Sequence, residues 1–194
     1  MLRKPILLII LVLFLDQCLK IWIKTNMMLG QEHHIFDWFI IHFTENKGMA
    51  FGMEFGGEIG KYFLSIFRLV AIGFIALYLK KLATQNVNKG ILYSVALILA
   101  GAIGNMIDSA FYGLIFSESY GQLATVFQGG YAGLLQGKVV DMFYFPLINS
   151  HFPDWVPLIG GNHFIFFRPV FNIADTSISV GVINILLFHR SFFK

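Results

Sequence analysis

The sequence predicts a membrane all-α protein, with four transmembrane helices joined by two structured outer loops. Three observations carry this. Of the 194 residues, 57% are hydrophobic and only 13% are charged, against about 25% charged in soluble domains, so lipid must be the solvent for part of the surface. Four segments are long and apolar enough to span a bilayer: about Pro5–Ile23, Tyr62–Leu79, Ile91–Ile107 and Val170–Phe188. Basic residues are also unevenly placed. With both ends cytoplasmic, the inner segments 1–4, 80–90 and 189–194 carry Arg3, Lys4, Lys80, Lys81, Lys89, Arg190 and Lys194 and no acid. The much longer outer loops, 25–61 and 109–169, hold only Lys47, Lys61, Lys138 and Arg168, with Lys24 at the border.

The first span opens like a signal peptide, with Arg3 and Lys4 before PILLIILVLFL. No small-x-small cleavage site follows, and the run ends in Asp16, Lys20, Trp22 and Lys24, so a retained span is expected. Cys18 is the only cysteine, which excludes an intrachain disulfide, and its apolar setting gives it no catalytic partner. In the first outer loop, FDWFIIHF is strand-like, and glycines at 48, 52, 56, 57 and 60 predict turns. The second outer loop is also rich in aromatics and glycine. Trp38 and Trp155 suit a membrane–water boundary. Residues 1–194 read as one integral membrane domain without repeats. The net charge of +3 has no basic stripe with it, so no nucleic-acid partner is expected.

Ionisable groups inside spans are costly and mark functional sites. Here they are Asp16, Lys20, Arg68, Asp108 and Asp175. At a helical rise of about 1.5 Å per residue, Asp16 lies roughly 12 Å from the outer end of its span and Arg68 roughly 9 Å. Lys20 is one turn shallower than Asp16, and Asp108 and Asp175 sit near outer ends. All five therefore gather in the outer half of the membrane, as one site would require. Asp16 and Lys20 share a helix face, either as a local pair with Lys20 snorkelling outward or as part of that site. Two clusters place an amide three residues before an acid: Gly104-Asn105-Met106-Ile107-Asp108 and Phe171-Asn172-Ile173-Ala174-Asp175. On a helix each Asn would donate to its own Asp and fix its rotamer. A further acid, Asp141, follows Gly137-Lys138-Val139-Val140.

Other chemistries lack their residues. Gln31-Glu32-His33-His34 has no zinc-helix spacing, and His42, His151, His163 and His189 are dispersed. There is no nucleophile turn around Ser109, no phosphate loop and no dinucleotide fingerprint, so neither a metal nor a cofactor is expected. Two carboxylates suffice for peptide hydrolysis. Close together they cannot both ionise; one activates water and the other protonates the scissile carbonyl.

These motifs resemble the lipoprotein signal peptidases (signal peptidase II), bacterial intramembrane aspartyl enzymes. The matching pieces are Asp16-Gln17-x-x-Lys20, Asn46-x-Gly48-x-Ala50-Phe51-Gly52, Gly104-Asn105-x-x-Asp108, Gly137-x-Val139-Val140-Asp141 and Phe171-Asn172-x-Ala174-Asp175, in family order. The resemblance implies removal of the signal peptide from pre-lipoproteins, with the cut just before a diacylglyceryl-modified cysteine. It implies a catalytic pair at Asp141 and Asp175. Asp16, Lys20, Asn46, Gly48, Gly104, Asn105, Asp108, Val140, Asn172 and Ala174 fall at supporting positions. It also implies a small outer-face β-cradle and a short amphipathic element. The expected partners are the lipidated substrate and membrane lipid, the expected state is a monomer, and the expected location is the bacterial inner membrane with the site towards the outer leaflet.

The chain departs from the family pattern in two places. Ser109 stands where the family usually has Arg, and Arg68 is expected to supply that cation. A long stretch containing SESYGQLATVFQGGYAGLLQ precedes Val139-Val140-Asp141; it is expected to bulge away from the site, either shaping substrate entry or neutral. The competing function is a small transporter or proton relay, which would spread its charges through the membrane depth. A scaffold protein would give no reason for acids beside amides at one depth.

Overall fold

The computed structural model describes residues 2–48, 57–85 and 87–189. Gly52, Gly56, Arg190, Lys194 and the Ala50-Phe51-Gly52 part of the first loop motif lie outside the described residues. Among the described residues, three helices are long and apolar enough to cross a membrane. They are α1 (Arg3–Asn26), α2 (Gly57–Thr84) and α3 (Lys89–Ile107). The third does not stop at Asp108. It runs on through a π turn (Asp108–Tyr112) into a last helical turn, α4 (Gly113–Ile115). The final helix, α5 (Ile173–Phe188), has 16 residues, about 24 Å of rise.

The expected start of that helix at Val170 is corrected by its cap. Asn172 accepts a hydrogen bond from the Asp175 amide at 2.8 Å, and the Asp175 carboxylate accepts one from the Asn172 amide at 3.4 Å. This reciprocal box fixes Asn172 as N-cap, so Val170 and Phe171 are left to form a strand, β6. Their apolar character serves a sheet, and a hydropathy window merges them with the helix.

Helix α1 buries Val12, Asp16, Lys20 and Ile23 at three- and four-residue spacing, which is one helix face. Its opposite face exposes Leu7, Phe14 and Trp22, and α2 exposes Phe63, Phe67 and Phe74, as lipid-facing surfaces do. Towards the other end, Leu79 and Leu82 of α2 pack against Ile91, Leu92, Val95 and Leu99 of α3. Helices α1, α3 and α5 meet through small residues, which let backbones approach. A Cβ on Gly101 would lie 2.2 Å from the Ala174 carbonyl, and one on Gly104 would lie 2.9 Å from Asp16 Oδ2 and 3.1 Å from Ala174 Cβ. Gly104→Ala is therefore expected to cost about 1–3 kcal/mol through overpacking, read as a lower thermal unfolding midpoint in detergent.

The two long loops build a four-stranded antiparallel sheet in the order β1-β2-β3-β6. Its first strands are β1 (Glu32–Phe36), β2 (Phe39–Asn46) and β3 (Val139–Tyr144). The strand-like FDWFIIHF straddles the turn between β1 and β2. A separate hairpin pairs β4 (Ile148–His151) with β5 (His163–Phe166). Stacked rings link Trp38 to Phe36 at 5.4 Å, Phe39 to Phe145 at 4.8 Å and Phe145 to Phe171 at 5.7 Å.

The stretch from 109 to 137 does not bulge away. It folds back, and Tyr112, Phe116 and Ala124 join Ile23 and Met27 of α1, Phe43 of β2, and Val140 and Met142 of β3 in one buried cluster. Backbone bonds from Leu29 to the Ser119 carbonyl (2.9 Å) and from Gly137 to the Ser109 carbonyl (2.9 Å) fasten it. Tyr112, Phe116 and Ala124 supply the reason, since left in water they would lose the burial that this packing provides; Tyr120, Leu123 and Phe127 of the same stretch stay exposed.

Candidate active site

The buried face of α1 supplies the centre of the site. Lys20 Nζ lies 2.9 Å from Asp16 Oδ2, 2.8 Å from Asp108 Oδ2 and 3.0 Å from Asn105 Oδ1. Lys20, Asp16 and Asp108 are each no more than 1% exposed, so Lys20 does not snorkel. Three protons of one ammonium meet three acceptors, which is how a buried charge is tolerated. Asp16 Oδ1 also accepts the Ala174 amide at 2.9 Å, satisfying a free N–H in the first turn of α5. Asp108 Oδ2 accepts the Val140 amide at 3.2 Å. The two aspartates thus tie α1 and α3 to the backbone on either side of the remaining acids.

The two Asn-x-x-Asp clusters are wired differently from the sequence expectation. Asn105 does not donate to Asp108; its Nδ2 donates to Asp175 Oδ1 at 2.7 Å. Likewise the Asn172 side chain does not donate to Asp175; its Nδ2 donates to Asp141 Oδ1 at 2.7 Å and to Asn105 Oδ1 at 3.1 Å. Each amide serves the acid of another element. The cap explains the second case, since Asn172 Oδ1 is committed to the Asp175 amide and Nδ2 must point away. Lys20 explains the first: its ammonium requires the oxygen of Asn105, which turns Nδ2 towards Asp175.

Asp141 and Asp175 are thereby held as a pair, one on β3 and the other in the first turn of α5, with Asn172 and Asn105 as a continuous bridge. Asp141 is 4% exposed, whereas Asp175 is only half-buried. Burial, reinforced by the neighbouring charge of Asp175, pushes the Asp141 carboxyl up to about 7, against the opposing pull of Lys20 and of the Asn172 and Asn46 side-chain amides. A carboxyl that holds its proton near neutrality beside a second acid has the character of an acid–base couple.

The first loop motif reaches the same place. The Asn46 side chain lies close enough to Asp141 to favour its ionised form, and its Oδ1 accepts the Gly48 amide at 2.7 Å. Gly48 has a φ of 94°, a conformation that favours glycine. Arg68, expected to supply the cation missing at Ser109, approaches the site from α2. Its guanidinium donates to the Gly48 carbonyl, within electrostatic reach of Asp175, Asp108 and Asp141. Lys20 occupies the position beside Asp108, and Ser109 is fully buried with no partner for its hydroxyl.

Sequence reasoning missed several participants. Gln17 donates to Asp16 at 3.1 Å and Asp108 at 2.9 Å, and accepts from Tyr112 at 3.1 Å; its place beside Asp16 in the first motif was the available signal. Lys24, read as a border charge, is fully buried against Glu45, and the sequence holds no sign of that pairing. Among the described residues, no group of three His, Cys, Asp or Glu side chains converges as metal ligands would.

A small sheet set on apolar helices, with two bridged aspartates where they meet, fits a membrane-embedded hydrolase of the aspartyl type. Comparison with known proteins agrees. The family model for signal peptidase (SPase) II matches residues 8–193, and the chain belongs to that family. A lipoprotein signal peptidase of Porphyromonas gingivalis is 54% identical over 93% of this chain and 80% of its own length. One from Amoebophilus asiaticus is 40% identical over 94% of this chain and 75% of its own length. A bacterial membrane enzyme solved at 1.9 Å resolution by the in meso method has the same fold, with a TM-score of 0.61 over 95% of this chain and 90% of that one, at 24% identity.

Proposed function

We propose that this chain removes signal peptides from diacylglyceryl-modified pre-lipoproteins, cutting before the lipidated cysteine, with Asp141 and Asp175 as its catalytic pair. The observation that carries the assignment is the amide bridge, in which Asn172 and Asn105 each hold one of the two carboxylates. In the resting pair one proton is shared. The ionised carboxylate removes a proton from water, which attacks the scissile carbonyl. The protonated carboxyl donates to the carbonyl oxygen, and proton return to the leaving amine completes cleavage. The remaining polar side chains keep the pair in register: Asp16, Lys20 and Asp108 from below and Asn46 from the loop, where the Gly48 backbone donates to Asn46 and accepts from Arg68 of α2. Gly104 and Ala174 allow α1, α3 and α5 to come close, and Val140 joins β3 to Asp108.

The membrane arrangement follows from the same reading. Helix α5 is the fourth span of a single 1–194 domain. Its rise of about 24 Å is slightly less than a hydrocarbon core and is accommodated by local thinning. Both termini are cytoplasmic in a bacterial inner membrane, the pair faces the outer leaflet, and the monomer acts on substrate delivered in lipid. No observation favours the transporter reading, since Asp16, Lys20, Asp108 and Asp175, the acids and lysine read as an ion path, converge on one site.

Two outcomes test the chemistry. Cleavage of a lipidated pre-lipoprotein by purified protein should persist in EDTA. Its kcat should also fall as the pH rises through about 7, where Asp141 loses its proton. Loss of cleavage with EDTA and recovery with zinc would overturn the metal-independent mechanism, and a flat kcat across neutrality would overturn the shared proton. Stability should follow the same group. Its folded value lies above the ordinary 3.8, so its contribution is complete below 3.8 and is lost as pH rises towards about 7.

A further inference from the structure

Beneath the sheet, on the face of β2 opposite Asn46, lies a second buried ion cluster that the catalytic scheme does not use. Successive strand residues point to opposite faces, so Glu45 is turned away from Asp141 while Asn46 is turned towards it. The Glu45 carboxylate is 2% exposed. One oxygen meets Lys24 Nζ of α1 and the other lies 3.0 Å from Lys138 Nζ, just ahead of β3. Ser119 closes the cluster, accepting from Lys24 at 2.9 Å and donating to Glu45 at 3.3 Å. Tyr131 forms its floor. Its ring lies 4.9 Å from Lys24 Nζ and 4.9 Å from Lys138 Nζ, and its hydroxyl accepts the Lys138 amide at 2.6 Å. Glu118 meets Lys138 at the exposed rim, at 3.3 Å.

Ser119, Tyr131 and Glu118 all belong to the long stretch between the Asn105-x-x-Asp108 motif and β3. We propose that this stretch is a clamp and that Glu45 is a positioning residue: the Lys24–Glu45–Lys138 cluster locks β2 against β3 so that Asn46 stays on Asp141. The strand register supports this, because Glu45 is opposite Val140 and Asn46 opposite Val139. The cluster therefore grips β2 one residue from Asn46, through Glu45, and the chain just ahead of β3 three residues from Asp141, through Lys138. Burial alone would raise the Glu45 carboxyl, yet Lys24 and Lys138 hold it below the usual carboxylate range. It is thus a permanent anion between two cations, unlike Asp141, which faces Asp175 from α5, Lys20 from α1 and the amides of Asn172 and Asn46.

The inference rests on Asp141 belonging to the catalytic pair. The experiment compares Glu45→Gln, Glu118→Gln and Asp141→Asn with wild type, using purified full-length protein and a lipidated pre-lipoprotein, with kcat, KM, their pH dependence and thermal unfolding recorded. Glu45→Gln should lower kcat about tenfold by loosening the Asn46 contact, leave KM within about twofold, and move the neutral limb of the kcat profile upward, because a contact that favours the ionised Asp141 is weakened. Glu118→Gln, at the rim, should stay within about twofold of wild type. If Glu45→Gln unfolds, the double variant Lys24→Gln/Glu45→Gln, which leaves no unpaired charge, should fold and show the same kcat defect and profile shift. A folded Glu45→Gln or double variant with wild-type kcat and profile would overturn the clamp, as would a kcat loss that only tracks the folded fraction. An active Asp141→Asn would instead overturn the catalytic pair.

Discussion

Asp141→Asn and Asp175→Asn are each expected to lower kcat for a lipidated pre-lipoprotein by at least about 10³-fold, with the protein still folded. The substitutions are isosteric, so substrate contacts and sheet register stay in place while the ability to exchange a proton is removed. The two should differ in stability. Asp141 is buried and its carboxyl is already pushed up to about 7, so a neutral amide there relieves a desolvation cost. Its oxygen can still accept from Asn172 Nδ2, now 2.7 Å from Asp141 Oδ1. Asp141→Asn should therefore unfold no earlier than wild type, and later above neutral pH. Asp175 also closes the capping box of α5 through the Asn172 amide and accepts Asn105 Nδ2 on its other oxygen; an Asn side chain keeps only one of these two acceptors, so Asp175→Asn should unfold earlier than wild type. Single-turnover cleavage and thermal unfolding of the same preparations check both. Substantial activity in either variant would remove that aspartate from the chemistry.

Much of this site was legible because its parts are local. The acids and amides at positions 16, 105, 108, 172 and 175 show themselves as polar residues in apolar runs, and depth along a helix follows from counting. The wiring is not local. Whether Asn105 serves Asp108 or Asp175 depends on where α5 starts, and that depends on a cap that hydropathy does not register. Asp141 was also poorly placed by position alone, since a strand at the membrane edge looks like loop in a hydropathy profile; the family resemblance put it in the pair. The Lys24–Glu45 contact joins residues 21 apart in sequence and could not have been read from either neighbourhood. The stretch after Asp108 looked like slack and proved in part to be packing, because Tyr112, Phe116 and Tyr131 match apolar surface on α1 and β3 that only the folded chain brings together, while Tyr120 and Phe127 stay exposed.

The second large effect is expected at Lys20. Lys20→Met should destabilise the protein by about 3–5 kcal/mol, the usual cost of removing one member of a buried ion group, and should abolish cleavage without touching Asp141 or Asp175. Asp16 and Asp108 would be left without their cation, at 2.9 Å and 2.8 Å from where it stood. Asn105 would lose the donor that fixes its orientation, freeing its Nδ2 to leave Asp175 for one of the stranded carboxylates. Stability and activity should then separate in a second step. Lys20→Met/Asp108→Asn removes one uncompensated charge, so the unfolding midpoint should recover part of the loss, as measured in detergent by thermal scan. Activity should not recover with it, because no donor returns to the Asn105 oxygen. If the double variant regained both together, Lys20 would act only as a counter-ion; if Lys20→Met alone behaved as wild type, the buried group would have to be hydrated and the wiring from α1 to Asp175 abandoned.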